Sequence, residues 1–161
     1  TGTGSSATIT FSSIPSTYTH LQIRGIGQNT DATAATQYAK ISFNSDTTTT
    51  NYRWHYIEGD GSAVTAADNS TLLFLLQRFT RGGYTNIYGA VIIDILDYAN
   101  TNKYKTGRVL SGVDVNGTGG AVYLQSSVWM STSAISSITL TMGANNWNTG
   151  TTFALYGIKS A

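Results

Sequence analysis

"YTHLQIRG", residues 18–25, carries Leu21 and Ile23 on one parity and His20, Gln22 and Arg24 on the other. Successive side chains of a strand point to opposite faces, so this period of two describes a strand with one dry face and one wet face. The same rhythm recurs outward along the chain. In "ATITF" (7–11) Ala7, Ile9 and Phe11 share a face, and in "SSITLTM" (136–142) Ile138, Leu140 and Met142 alternate with Ser and Thr. "AVYLQSSVWM" (121–130) sets Val122, Leu124, Val128 and Met130 on one side and Tyr123 and Trp129 on the other.

Two stretches break the alternation. "NIYGAVIIDILDY" (86–98) is apolar on both parities, with Val91, Ile93 and Ile95 against Ala90, Ile92 and Leu96. A strand covered on both faces reads this way, which places it centrally in a sheet and leaves Asp94 partly buried and in need of a donor. "TFALYGI" (152–158) reads similarly. "TLLFLLQRF" (71–79) also fits a helix, through Leu72, Leu75, Leu76 and Phe79, with Asp68 to Ser70 as a cap. The strand reading is preferred because the rest of the chain is β and "RGG" (81–83) follows.

Asn, Asp, Gly and Ser gather at the joints, where local hydrogen bonds and tolerance of positive φ set turns. They include "NSDTTTTN" (44–51), "EGDGSAVTAADNS" (58–70), "GANNWNTG" (143–150) and "VNGTGG" (115–120), the last the clearest hairpin signal. The spacing predicts eight to ten strands with neither repeats nor linkers. That pattern describes a single antiparallel β-sandwich over residues 1–161, jelly-roll-like in plan.

Composition narrows the function classes. A chain of 161 residues buries roughly 70% of its extended surface on folding, enough for a core without staples. It contains no cysteine, so disulfides and thiolate metal sites are excluded. Nine Lys and Arg against eight Asp and Glu give a net charge of +1. The densest basic group, "KYKTGR" (103–108), has only three charges, too few for the stripe that phosphate backbones require, so nucleic acid is not an expected partner. No apolar run approaches the roughly 20 residues of a membrane-spanning helix, and the opening "TGTGSSATITF" lacks the features of a signal peptide. Charged residues make up 11% of the chain, against about 25% in ordinary soluble domains. Short neutral side chains lose little entropy and shed few charges when pressed against a neighbour. Such a surface suits contact with copies of itself or with sugars, and equally an ordinary secreted β domain.

The densest chemistry lies in "NYRWHYIEGDG" (51–61), which includes the chain's single glutamate. As a strand it puts Tyr52, Trp54 and Tyr56 on one face and Arg53, His55 and Ile57 on the other, with "EGDG" closing a turn. His55 and Glu58 then lie on opposite faces, which rules out a zinc pair. Glu58 and Asp60, with Asp68 as a third oxygen donor, lack the spacing of a calcium loop. No G-x-S-x-G elbow, P-loop lysine or opposed pair of carboxylates stands out. The reading is therefore no enzyme, no cofactor and no metal. Trp147 in "GANNWNTG" and Tyr84 in "RGGYTN" (81–86) are the candidate contacts for a glycan or a protein partner, since an exposed ring in a polar loop can stack on a sugar. The competing reading makes each a plug at an open end of the sandwich.

Three segments carry a resemblance: "ATITFSSIPSTYTHLQIRGIG" (7–27), "GAVIIDILDYANTNKYKT" (89–106) and "VWMSTSAISSITLTMGANNWNTGTTFALYGIK" (128–159). Together they resemble a family of short tailed-bacteriophage virion proteins. The resemblance implies a non-enzymatic structural protein located in the virion, as a capsid decoration or tail-fibre module. Its partners would be other virion proteins and copies of itself, with a homotrimer expected from exposed strand edges. The alternative is a carbohydrate-binding module or receptor-binding tip that recognises host-surface glycans. Relatives usually carry a short apolar strand before the glycine-serine stretch in which this sequence opens, so either that strand was trimmed or an N-terminal anchor is missing from this chain.

Overall fold

The computed structural model describes residues 1–32, 36–69, 74–81, 83–115 and 119–160. Its strands are β1 (Thr8–Phe11), β2 (His20–Asn29), β3 (Thr36–Phe43), β4 (Tyr52–Gly59), β5 (Val64–Asn69) and β6 (Phe74–Arg81), then β7 (Gly89–Leu96), β8 (Lys105–Asp114), β9 (Gly120–Trp129), β10 (Ile138–Met142) and β11 (Thr152–Ile158). One layer has the order β1-β10-β3-β6, and the other β11-β2-β7-β8-β9-β4-β5. Pairing is antiparallel except at one point. There the last two residues of β2, Gln28 and Asn29, leave the larger sheet and pair in parallel with Thr80 and Arg81 of β6. The fold is thus an all-β sandwich, hinged at β2 and closed by β6, which lies against β8, β9 and β4.

The core forms where the dry parities of the two layers meet. Leu21, Ile23, Val91, Ile93, Ile95 and Val109 come from the larger sheet, and Ile41, Phe43, Phe79, Ile138 and Leu140 from the smaller. The alternations read in "YTHLQIRG" and "SSITLTM" are the ones buried here. Aromatic clusters fill both ends. Trp147 stands edge-on to Phe79 and Phe153, each with its ring centroid 5.1 Å away. At the other end Phe43, Tyr52 and Trp129 cluster, with Phe43 tilted against Trp129 at a centroid distance of 5.5 Å and Tyr52 stacked on Trp129 at 6.4 Å. Gly27 lies beneath the first cluster, where a Cβ would come 2.8 Å from Trp147 Cζ3 and 2.9 Å from Phe79.

Three expectations change. Eleven strands form rather than eight to ten, because β5 lies inside "EGDGSAVTAADNS". Its small and polar residues read as a joint, and only pairing with β4 makes them a strand. β7 is central, between β2 and β8, but it faces one core only: Val91, Ile93 and Ile95 are buried while Ala90 and Leu96 are exposed. β11 is an edge strand paired with β2, and its residues are exposed or half-buried throughout. The helix alternative at 71–79 yields to strand β6 over Phe74–Arg81, with residues 71–73 outside the described residues. The "VNGTGG" hairpin joins β8 to β9 with Asp114 opposite Gly120, although residues 116–118 fall outside the described residues.

A candidate interface on the outer face of the seven-stranded sheet

β4 divides as its period requires: Tyr52 and Trp54 are buried, while His55 and Ile57 are exposed. Glu58 is buried on the inner side, on the opposite face from His55. It ends the strand rather than standing in an open turn. The turn belongs to Asp60, whose Oδ1 accepts from the backbone N–H groups of Ser62 and Ala63, both at 2.8 Å. Asp68 pairs across the sheet with His55 and so lies on the outer face. Glu58, Asp60 and Asp68 therefore do not converge, and among the described residues no group of three or more His, Asp or Glu could hold a metal ion.

The other titratable side chains act as structural ties. Asp94 accepts from Gln22 Nε2 at 2.7 Å, the donor its half-buried position demanded. His20 Nδ1 accepts from the Asp97 N–H at 3.0 Å. Lys103 Nζ donates to Asp97 at 2.7 Å, which holds that carboxyl below its usual range. Asp46 accepts from Trp129 Nε1 at 2.7 Å and from Asn51 Nδ2 at 2.9 Å. Burial raises the Asp46 pKa, but the hydrogen bonds from Asn51, Trp129 and Thr48 outweigh it and the net direction is down. Asp94 ties β7 to β2, while His20 and Asp46 each join a turn to a strand end.

The two candidate glycan contacts differ in exposure. Trp147 has no exposed surface and plugs the sandwich end. Tyr84 is half-buried, and its carbonyl accepts from Gln28 Nε2 at 2.7 Å. The Trp147 ring therefore offers no free face of the kind sugar stacking uses.

What sequence reading did not isolate is a continuous apolar field on the outer face of the larger sheet. Strand register puts Ile92, Leu110, Leu124 and Ile57 in one row across β7, β8, β9 and β4. Ile26, Ala90, Val122 and Val64 border it in the next row. Of these, Ile26, Leu110, Leu124, Ile57, Val122 and Val64 are each between 43 and 72% exposed. Gly112 hollows the field, which contains a shallow groove of about 690 Å³. On β9 the usual allocation is inverted: Tyr123, Gln125, Ser127 and Trp129 are buried, and Val122 and Leu124 face out. Gln125 Nε2 is satisfied inside by Ser127 Oγ at 2.7 Å. The signal was present in "AVYLQSSVWM", but both parities there contain large apolar groups, and the sequence does not say which one turns inward.

A contiguous exposed apolar field on a small domain marks a contact surface. Comparison with family models, with curated proteins and with solved structures finds no match to this chain.

Proposed function

We propose that this chain is a non-enzymatic structural module of an assembled particle, a surface protein of a tailed-bacteriophage virion of the capsid-decoration or tail-fibre kind. The observation that carries the assembly reading is the outer face of the seven-stranded sheet, where Leu110, Leu124, Ile57 and Val122 stand exposed in adjoining register rows. A protein that worked alone in water would gain by turning those residues inward, whereas one that works in contact with others gains by presenting them. The virion assignment is supported by the resemblance of the three segments described above. The composition also agrees, since 11% charged residues leaves little to desolvate on contact. The partners are other virion proteins and copies of this chain.

Mass spectrometry of purified particles tests the location. The expected result is this protein in stoichiometric amount, retained after nuclease and density-gradient washing. Its absence from particles, together with glycan binding by the isolated chain, would replace this reading with the carbohydrate-binding alternative.

A further inference from the structure

The geometry points to a specific partner for the apolar face: the same face of a second copy, related by a two-fold axis that runs parallel to the strands between β8 and β9. This rests on the assembly reading only for self-association, and it is tested apart from particle location.

The apolar rows of the outer face, which run from β2 to β5, are arranged almost symmetrically about the line between β8 and β9. To one side lie β8, β7 and β2, with edge strand β11 beyond them, and to the other β9, β4 and β5. Rotating a second copy about that line brings strands of the same rank together while preserving the rows. In the central row Leu110 meets the second copy's Leu124, and Ile92 meets its Ile57. In the next row Ile26 meets Val64, and Gly112 offers its hollow to Val122. The following row is polar and reads Gln22, Asp94, Arg108, Ser126, His55 and Asp68 from β2 to β5. The same rotation sets Asp94 against His55, Arg108 against Ser126 and Gln22 against Asp68. Apolar meets apolar across the four central strands, Arg24 at the end of the central row meets Ala66, an acid meets a base, and no two like charges in these rows coincide. Moving the axis by half a strand onto β8 would put Arg108 on Arg108, so the charges select the register.

Size agrees with this occupant. Six strands about 4.8 Å apart and about 20 Å of strand length give on the order of 600 Å² of flat area per copy. Side-chain relief raises this toward the roughly 800 Å² per partner of a stable interface. Two twisted sheets packed at the usual angle of about −30° and separation of about 10 Å keep their rows in contact at the centre. An isologous contact of this type closes at two copies, in place of the three that exposed edges suggested.

The test uses the full chain as purified. Light scattering at tens of micromolar should give twice the 17.1 kDa chain mass. Leu110→Asp and Leu124→Asp, at exposed positions, should each weaken association at least a hundredfold while leaving the circular-dichroism spectrum unchanged. Tyr104→Asp, exposed but outside these rows, should not affect it. Geometry is read by cross-linking in this cysteine-free chain. Ile26 and Val64 are five strand spacings apart within one copy, about 24 Å, but are neighbours across the proposed axis. A bis-maleimide short enough to span only packed sheets should join Ile26→Cys/Val64→Cys into a covalent dimer and leave either single variant monomeric. A monomer or trimer at these concentrations, equal cross-linking of a single variant, or a dimer indifferent to Leu110→Asp would overturn the inference.

Discussion

Lys105 Nζ donates to the carbonyl oxygen of Asn100 at 2.6 Å from a position with no exposure to solvent. The carbonyls of Lys103 at 2.9 Å, Thr132 at 3.2 Å and Ser131 at 3.5 Å complete a cage around the ammonium. Burial pulls the lysine pKa down, and the Asp97 carboxylate acts in the opposite direction. One cation at the start of β8 thereby fastens the turn after β7 to the segment after β9.

Lys105→Met, similar in length but without a donor, leaves those carbonyls without their partner. The expected cost is about 1–3 kcal/mol of unfolding free energy. Urea denaturation measures it, and a change below a few tenths would mean that water replaces the ammonium freely.

Acid sensitivity should trace to Asp46 and Asp97, whose carboxyls both titrate below their ordinary range in the folded state. A depressed folded pKa contributes stability that is fully present above the unfolded value of about 4 and is lost as pH falls through the folded value. The protein should therefore be as stable at pH 5 as at pH 7 with respect to these groups, and weaken below about pH 4. Asp46→Asn can keep an oxygen toward Trp129 Nε1 and Asn51 Nδ2, which share Oδ2, only by turning its amide donor toward the Thr48 N–H, already a donor. It should cost about 1–3 kcal/mol at neutral pH and flatten the acid limb of a stability-versus-pH curve.

The two faces of the larger sheet should respond differently to truncation. Ile93 is fully buried in β7, and Ile93→Ala should cost about 2–5 kcal/mol through lost burial and the cavity left behind. His55→Ala, at an exposed position, should stay within about 0.5 kcal/mol. Glu58→Ala should cost more than His55→Ala, since Glu58 is buried. Melts in the Leu110→Asp background exclude any contribution from association. Equal effects at Ile93 and His55 would contradict the assignment of inner and outer faces.

The Trp147 plug should prove structural. Trp147→Ala is expected to cost about 3–5 kcal/mol. Gly27→Ala, which drives a Cβ into the Trp147 and Phe79 rings, should cost about 1–3 kcal/mol by overpacking. Thermal unfolding of both variants tests this, and a stable Trp147→Ala protein would reopen the role of that ring as a ligand contact.

The sequence by itself determined the strand class and much of the core. "YTHLQIRG" and "SSITLTM" place large aliphatic residues on one parity only, and local geometry leaves a single way to bury them. Leu21, Ile23, Ile138 and Leu140 are accordingly interior. It also determined that His55 and Glu58 cannot act together, since the period of a strand separates them. Tertiary structure alone decided the parity of β9 and the single-sided burial of β7, because each of those stretches has apolar residues on both faces. Which face turns inward depends on the opposite layer, and for β9 the inner choice is the aromatic and amide set of Tyr123, Gln125 and Trp129. The apolar row of Ile92, Leu110, Leu124 and Ile57 likewise exists only after four strands distant in sequence take their register. Cross-strand neighbours are set by pairing, and pairing between distant segments is fixed by the packing of the whole sheet rather than by the residues of any one strand.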